Sequence, residues 1–184
     1  FMLLANRKVS EFVSKPQANQ PSRTFVFRVH DQPNEQKLHD FATFIKTFGY
    51  SFNAQKAKDV SKSMNTLLAQ IKDKTEANLI STLAVRTMAK AAYSTKNIGH
   101  YGLAFDSYSH FTSPIRRYPD MIAHRLLQHY LTNGKSVNES DYEAICKHCS
   151  SQEKLAEEAE RASIKYMQVV YMKKFVGEIL KGTI

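Results

Sequence analysis

Apolar residues three and four positions apart, the spacing of one face of an α-helix, recur along most of this chain. They predict a first helix over residues 2 to about 14 and three more over residues 34–49, 59–71 and 75–91. A fifth helix is predicted over residues 119–132, after a short turn that begins near Ser113. The positions that define these stripes are Met2, Ala5, Val9, Phe12, Leu38, Phe41, Ile45, Phe48, Val60, Met64, Leu67, Leu68, Ile71, Ile80, Leu83, Thr87, Met88, Ala91, Ile122, Leu126 and Leu127.

Two segments depart from the helical spacing. Residues 24–30 have the two-residue period of a half-buried strand, with Phe25, Phe27 and Val29 on one side. Residues 93–112 replace the apolar stripe with glycines and clustered Ser, Tyr and His, and functional residues are often found in connections of this kind. Residues 17–22 are polar and are predicted to form a loop.

The last third of the chain carries two S-x-x-E patterns, at residues 140–143 and 150–153. Each has the form of a capping box, so each predicts the start of a new helix. The second helix is predicted to be long, ending at about Lys174, and residues 175–184 could start a strand. The predicted fold class is therefore α+β, predominantly helical with a few strands.

Composition narrows the class of protein. The 184 residues suit about one domain, and with 42% hydrophobic and 23% charged residues they contain no apolar run long enough to span a membrane. The formal net charge of +9 favours polyanions, so nucleic acid is the leading partner. Only two cysteines are present, which suggests a reducing compartment such as the cytoplasm. Their C-x-x-C spacing lacks the second pair of a structural zinc site, and no metal site is predicted.

Possible chemistry is concentrated in residues 110–120, H-F-T-S-P-I-R-R-Y-P-D. Arg116 or Arg117 could bind a phosphate through two parallel N–H groups, beside hydroxyls and free N–H groups at a helix start. Tyr118 offers a ring for stacking on a base. The alternative interpretation is that the two arginines form a solvated helix face and that Tyr118 is a packing residue.

Residues 100–104, H-Y-G-L-A, and residues 108–127, Y-S-H-F-T-S-P-I-R-R-Y-P-D-M-I-A-H-R-L-L, together resemble the signature of the ribonuclease II / ribonuclease R family of 3′→5′ exoribonucleases, its ribonuclease R branch in particular. M-L-L-A-N at residues 2–6, F-R-V-H at residues 27–30 and A-E-R at residues 159–161 are similar to further motifs of that family. The resemblance covers essentially the whole chain, but it implies only the C-terminal half of an RNB-type catalytic domain.

The resemblance implies roles for seven residues. Arg116 matches the family arginine beside the scissile phosphate and is the expected catalytic residue. The expected nucleic-acid-binding residues are Thr112, Ser113, Arg117, Tyr118, Glu160 and Arg161, although Glu160 and Arg161 are also consistent with ordinary charges on a helix face. The implied substrate is single-stranded RNA, hydrolysed processively from its 3′ end to nucleoside 5′-monophosphates.

The chain departs from the family pattern in its metal-binding residues. The family holds magnesium on an aspartate cluster, whereas the aspartates here are scattered singly along the sequence. We therefore expect the intact enzyme to use Mg²⁺, and this chain alone to bind none and to be inactive. The expected partners include the missing part of the catalytic domain and flanking oligonucleotide-binding barrels, and residues 176–184 could start one of these. We expect the chain to be truncated at both ends, with dimerisation through uncovered apolar surface a further possibility.

Two other functions stay open at this point. One is a non-catalytic RNA-binding module that keeps the arginine motif without a hydrolytic partner. The other is a structural or protein-contact domain in which the positive charge only aids solubility.

Overall fold

The computed structural model describes residues 1–15, 23–53 and 57–180. The loop predicted over residues 17–22 lies outside these ranges. The described elements are α1 (Met2–Ser14), β1 (Phe27–Val29), α2 (Glu35–Lys46), α3 (Ala57–Gln70), α4 (Ala77–Thr87), β2 (Ala92–Ser94), a 3₁₀ helix (Tyr101–Leu103), α5 (Tyr118–Leu131), α6 (Glu139–Met172) and a second 3₁₀ helix (Lys173–Phe175). This order confirms the predicted fold class, α+β and predominantly helical.

The two strands form a small antiparallel sheet in which Phe27 pairs with Ser94. Along the same strand, the Arg28 N–H donates to the carbonyl of Tyr108 at 2.9 Å, and the Ser109 hydroxyl donates to the carbonyl of Val26 at 2.7 Å. The strand and the residue before it therefore hold Tyr108 and Ser109 in place, and these lead directly into the arginine motif.

The strand predicted over residues 24–30 is shorter in the structure, where it spans Phe27–Val29. The prediction that it is half-buried is wrong. Val26 and His30 belong to the face expected to be exposed, yet they are buried, with 2% and 9% of their surface accessible. The polar residues of that face have partners within the fold: an His30 ring nitrogen lies 2.7 Å from the carbonyl of Ala89, and Arg28 donates to Glu153. These partners are 59 and 125 residues away, so the local pattern does not reveal them.

The described apolar residues pack into two clusters. The first joins α1, the sheet, α5 and the start of α6, and the arginine motif lies beside it. The second joins α2, α3 and α4. The buried members of the first cluster are Val13, Phe25, Val26, Phe27, Val29, Tyr93, Ile122, Ala123, Leu126, Tyr130 and Cys146.

The predicted bounds of α1 and α5 agree closely with the structure, but the buried face of α1 is a different one. Met2 and Phe12 are exposed, and the helix instead buries Asn6, Ser10 and Val13. Polar residues can occupy that face because they are hydrogen-bonded, as the Ser10 hydroxyl is to the carbonyl of Arg7.

Helices α2 to α4 follow the sequence pattern with small differences. Asn34 caps α2 by accepting from the Lys37 N–H, and Gly49 follows its end with φ of +80°, where glycine avoids the steric cost of a side chain. Helix α3 begins at Ala57, before the predicted cap at Asp59. Phe48 and Leu68, placed on the predicted stripes, are exposed.

A helix does begin beside the first S-x-x-E pattern, at Glu139, but the second predicted start, at residues 150–153, is wrong because residues 139–172 form one helix of 34 residues. Asn138 caps it by accepting from the Ser140 N–H. Two side chains of the predicted capping boxes instead bond to β2 and the residue that follows it. Glu143 accepts from the Thr95 hydroxyl at 2.7 Å, and the Ser150 hydroxyl accepts from the Tyr93 N–H at 2.9 Å.

The second half of α6 extends away from the first cluster. From Ser151 onward its residues are exposed, apart from the partly buried Glu157. Beyond the second 3₁₀ helix the described chain, which ends at residue 180, contains no strand, and residues 181–184 lie outside it. Within the described ranges, no helix is long and apolar enough to cross a membrane.

Candidate nucleic-acid interface

The arginine motif forms a tight turn immediately before α5. The carbonyl of Ser113 accepts the N–H groups of both Arg116 and Arg117, at 3.3 and 3.1 Å. The N–H of Ser113 donates to the Oδ2 atom of Asp120 at 2.8 Å, which ties the start of the turn to the first turn of α5. The predicted short turn followed by a helix is confirmed.

The side chain of Asn6 on α1 fixes the two residues before this turn. Its Oδ1 atom accepts the N–H groups of Phe111 and Thr112, at 3.1 and 3.2 Å. Its amide nitrogen donates to the hydroxyl of Tyr108 at 3.0 Å. Asn6 is 4% exposed, so these bonds form out of contact with bulk water.

The carbonyl of Phe111 is also engaged. It lies 2.8 Å from the Nε2 atom of His124 on α5, and the two rings stack with centroids 3.8 Å apart. Both backbone polar groups of Phe111 therefore have side-chain partners, from two different helices. The backbone that carries the arginine motif is held from α1, from α5 and from the sheet.

The two adjacent arginines occupy different environments. Arg116 is exposed, and no described residue pairs with its guanidinium group. Arg117 is 19% exposed, and its Nη2 atom donates to the Oδ2 atom of Asp120 at 2.8 Å. Asp120 is fully buried, so this is an ion pair inside the fold. Arg116 is thus the arginine available to an outside phosphate.

The Arg117–Asp120 pair is not fully satisfied among the described residues. The Nε atom of Arg117 and the Oδ1 atom of Asp120 are buried without a hydrogen-bond partner. The RNA contact expected of Arg117 stays a prediction, and the guanidinium group already has one structural role.

Five of the seven sequence-predicted residues lie together. Thr112 and Ser113 are partly buried in the turn, and Tyr118, 53% exposed, is the first residue of α5. The turn thus presents a cation and an exposed ring close together in the chain, a combination suited to a single-stranded polyanion. The five residues are Thr112, Ser113, Arg116, Arg117 and Tyr118.

Glu160 and Arg161 lie apart from this turn, on the exposed half of α6. Arg161 pairs with Glu157 on the same helix, and Glu160 lines a cleft of about 690 Å³ together with Arg28 and Lys90. No described hydrogen bond or ion pair joins either residue to the turn. Their predicted part in nucleic-acid binding stays a prediction.

A row of polar and aromatic groups lies behind the turn. The Nδ1 atom of His110 is 2.9 Å from the Tyr93 hydroxyl, and Arg28 lies over the Tyr93 ring while both its terminal nitrogens donate to Glu153. Burial, and then the charges of Arg117 and Arg28, lower the pKa of His110 to about 3. Burial raises the pKa of Tyr93 to about 12. At neutral pH both groups are therefore uncharged.

Two other histidines stabilise the segment that precedes the turn. The Nδ1 atom of His30 accepts the N–H of Gly102 at 2.8 Å, and that of His100 accepts the N–H of Leu103 at 3.2 Å. Burial, and then the charge of His30, lower the pKa of His100 to about 4. His30, His100 and His110 are therefore all hydrogen-bonded within the fold.

Sequence reasoning missed Asn6, Tyr93, Arg28 and Glu153 as supports of the site. Asn6 and Arg28 lie in the family-like motifs at residues 2–6 and 27–30, which mark the two residues but not their partners. The contacts themselves carry no local signal, since each joins residues far apart in sequence.

The described residues do not form a site that fits the magnesium ion implied by the resemblance. In the part of the chain that the structure describes, no three His, Cys, Asp or Glu side chains converge. Asp120, the one acidic group at the turn, is already bonded to Arg117 and Ser113. Burial raises the pKa of the Cys146 thiol to about 12 and also raises that of Cys149.

Comparisons with known proteins agree with this geometry. The RNB domain family model matches residues 1–133. The chain is 37% identical over its full length to ribonuclease R of Aquifex aeolicus, and 40% identical over 97% of its length to that of Chlamydia trachomatis. It spans about a quarter of the length of these curated relatives, 26% and 24% respectively.

Solved structures show the same similarity. Ribonuclease R of Mycoplasma genitalium in complex with ribose-methylated single-stranded RNA superposes with a TM-score of 0.79 at 28% identity. That match covers 94% of this chain and 27% of the other. Yeast Ssd1, described as a pseudonuclease, superposes with a TM-score of 0.65 at 26% identity, covering 80% of this chain and 18% of the other.

Proposed function

This chain belongs to the RNB domain family, and from that premise we propose that the protein of which it forms part is a 3′→5′ exoribonuclease acting on single-stranded RNA. The proposed reaction is processive hydrolysis that releases nucleoside 5′-monophosphates. The relatives named ribonuclease R support this proposal, as does the similar structure that contains single-stranded RNA. The proposed location is the cytoplasm.

The observation that carries the proposal is the exposed guanidinium group of Arg116 on a turn whose start is fixed by hydrogen bonds. No described residue pairs with this group, while Asn6 and Asp120 hold the backbone that precedes it, at Thr112 and Ser113. A guanidinium group donates two parallel N–H bonds to a phosphate, and its value grows as negative charge develops on the phosphate oxygens. We assign Arg116 the role of binding the scissile phosphate and stabilising that charge.

The neighbouring residues would bind and orient the strand. Tyr118 would stack against a base, and the hydroxyls of Thr112 and Ser113 would contact the sugar-phosphate backbone. Glu160 and Arg161 are proposed to contact RNA farther along α6.

Magnesium is part of the proposal only for the intact protein. The ion would supply Lewis-acid activation of the phosphate. The described residues do not form its site, and we propose that its ligands are supplied by a part of the catalytic domain outside this chain. We therefore propose that this chain releases no nucleotides by itself, with or without added magnesium, which chromatography of a digest of single-stranded RNA would test.

The decisive experiment is Arg116→Ala in the intact protein, with Arg86→Ala as the matched control. Arg86 is also an exposed arginine, but it lies on α4 beside the second cluster. Single-turnover cleavage of a 3′-labelled RNA should slow by on the order of 10²-fold for Arg116→Ala, while RNA affinity falls much less. Arg86→Ala should change neither quantity. An unchanged cleavage rate in Arg116→Ala would remove Arg116 from the mechanism.

A second candidate is a non-catalytic RNA-binding protein. The similarity to yeast Ssd1 favours it, because that protein shares this fold and is described as a pseudonuclease. The two candidates differ in one measurement on the intact protein, which is release of nucleotides from RNA. Both predict that affinity for single-stranded RNA falls steeply with salt, since phosphate contacts release counterions. A salt-independent affinity would instead support a purely structural domain.

A further inference from the structure

The amide of Asn6 connects α1 to the turn that carries Arg116, and each of its polar atoms is engaged in that connection. The oxygen accepts two consecutive backbone N–H groups, from Phe111 and Thr112. The nitrogen donates to the hydroxyl of Tyr108. Backbone N–H groups can only donate, so the amide can adopt only one of its two flipped orientations here.

The connection is long-range and buried. Asn6 is separated from its three partners by 102, 105 and 106 residues, and its side chain is 4% exposed. Tyr108 is 5% exposed. Hydrogen bonds in such an environment hold their geometry, because water does not compete for either partner.

From Thr112 the constraint passes to Arg116 through a short stretch of backbone. The next N–H, that of Ser113, is bonded to Asp120, and the following residue, Pro114, has its φ angle fixed by its ring. The carbonyl of Ser113 then accepts the N–H of Arg116 itself. Little conformational freedom therefore remains between the Asn6 amide and the Cα atom of Arg116.

We propose that Asn6 is a positioning residue: its amide fixes the backbone at residues 111–112 and thereby aims the Arg116 guanidinium group at the scissile phosphate. This inference rests on the proposed function and adds a residue that acts on the reaction only through Arg116. A displacement of about 1 Å in a group that acts in the transition state can cost on the order of 10²-fold in rate. Loss of the amide is therefore expected to slow the chemical step far more than it weakens RNA binding.

A double-mutant cycle in the intact protein tests the proposal, using Asn6→Ala, Arg116→Ala and the combination. The measured quantities are the single-turnover cleavage rate at saturating single-stranded RNA and the dissociation constant of the same RNA. Asn6→Ala alone should lower the rate by roughly 10-fold to 100-fold and change the dissociation constant by less than about 3-fold. In the Arg116→Ala background it should lower the rate by no more than about 2-fold, because the group it positions is absent.

Ser10→Ala is the matched control, because Ser10 is a fully buried polar residue one turn farther along α1 whose side chain, among the described residues, bonds only within its own helix. It should leave the cleavage rate unchanged in both backgrounds. If Asn6→Ala fails to fold, Tyr108→Phe takes its place in the cycle, since it removes only the hydroxyl that anchors the amide nitrogen. Its effect should be smaller and should also vanish with Arg116→Ala.

The possible results separate this inference from the proposed function. Additive effects of Asn6→Ala and Arg116→Ala, or an unchanged rate in Asn6→Ala, would overturn the positioning role while leaving the assigned role of Arg116 intact. A large rate loss in Ser10→Ala would overturn it as well, since any disturbance of α1 would then suffice. An unchanged rate in Arg116→Ala would overturn both proposals.

Discussion

Arg116 and Arg117 are neighbours in sequence, but replacement by alanine is expected to destabilise the fold strongly at Arg117 and hardly at all at Arg116. Arg117→Ala would leave the fully buried carboxylate of Asp120 without its counter-ion. Removing one partner of a buried ion pair costs about 3–5 kcal/mol, because the other charge stays desolvated. Arg117 is 19% exposed, and water can reach part of the pair, so the lower end of that range, about 3 kcal/mol, is expected.

Arg116→Ala removes an exposed side chain without a described partner and should change the free energy of unfolding by less than about 0.5 kcal/mol. For a chain of 184 residues, the loss expected for Arg117→Ala corresponds to a fall in Tm of about 6–12 °C. Both substitutions remove one positive charge, so a general effect of net charge would be the same for the two variants.

Urea unfolding of this chain at pH 7, followed by circular dichroism, measures the free energy of unfolding of each variant. It also yields an m value, which shows whether the unfolded states are comparable. Asp120→Ala, alone and combined with Arg117→Ala, completes a double-mutant cycle. The coupling free energy between the two residues should be about 1 kcal/mol or more, as expected of contacting residues. Equal stabilities of Arg116→Ala and Arg117→Ala would show that the Arg117–Asp120 pair is not a buried ion pair in solution and would refute this reasoning.

Two further predictions concern titratable groups near the first cluster. The pKa of His110, lowered by burial to about 3 from its ordinary value of 6.5, means that the unfolded chain takes up a proton between these values while the folded chain does not. The stability that depends on uncharged His110 should therefore be complete above pH 6.5, and the free energy of unfolding should fall as the pH drops from there towards 3. His110→Gln should make this fall shallower in urea titrations at several pH values. The Cys146 thiol is 1% exposed and burial raises its pKa to about 12, so in Cys149→Ser a thiol reagent at pH 8 should label it only as fast as the chain opens, and immediately in urea. Rapid labelling of the folded variant would contradict the burial of Cys146.

The elements that were predicted well from the sequence are those set by local interactions. The start of α2 depends on Asn34 bonding to a backbone N–H three residues away, and its end depends on the positive φ of Gly49. The restart of α5 after the arginine turn depends on proline positions. In each case the residues that decide the structure are within one helical turn of one another, so the pattern contains the necessary information.

The failures have a common physical cause, which is that the decisive partner is distant in sequence. Ser150 and Glu153 have the pattern of a capping box, but inside the fold they bond to Tyr93 and Arg28, and the helix continues past them. The buried face of α1 was misread for the same reason, because Asn6 is stabilised there by residues more than 100 positions away. A hydrogen bond satisfies a polar group equally well from any part of the chain, and hydrophobic periodicity does not report on it.

The same distinction explains how much of the site could be predicted. The sequence identified the turn and both arginines, because the motif is continuous. The residue pattern by itself left the two arginines equivalent, and only the family resemblance gave Arg116 the catalytic role. The structural difference between them depends on which guanidinium group reaches Asp120. It is that of Arg117, which caps α5 three residues before Asp120. Once Arg117 neutralises the buried carboxylate, the positive charge of Arg116 is not opposed within the described turn and is available to a phosphate. The ion pair between Arg117 and Asp120 is therefore a condition for the proposed catalytic role of Arg116.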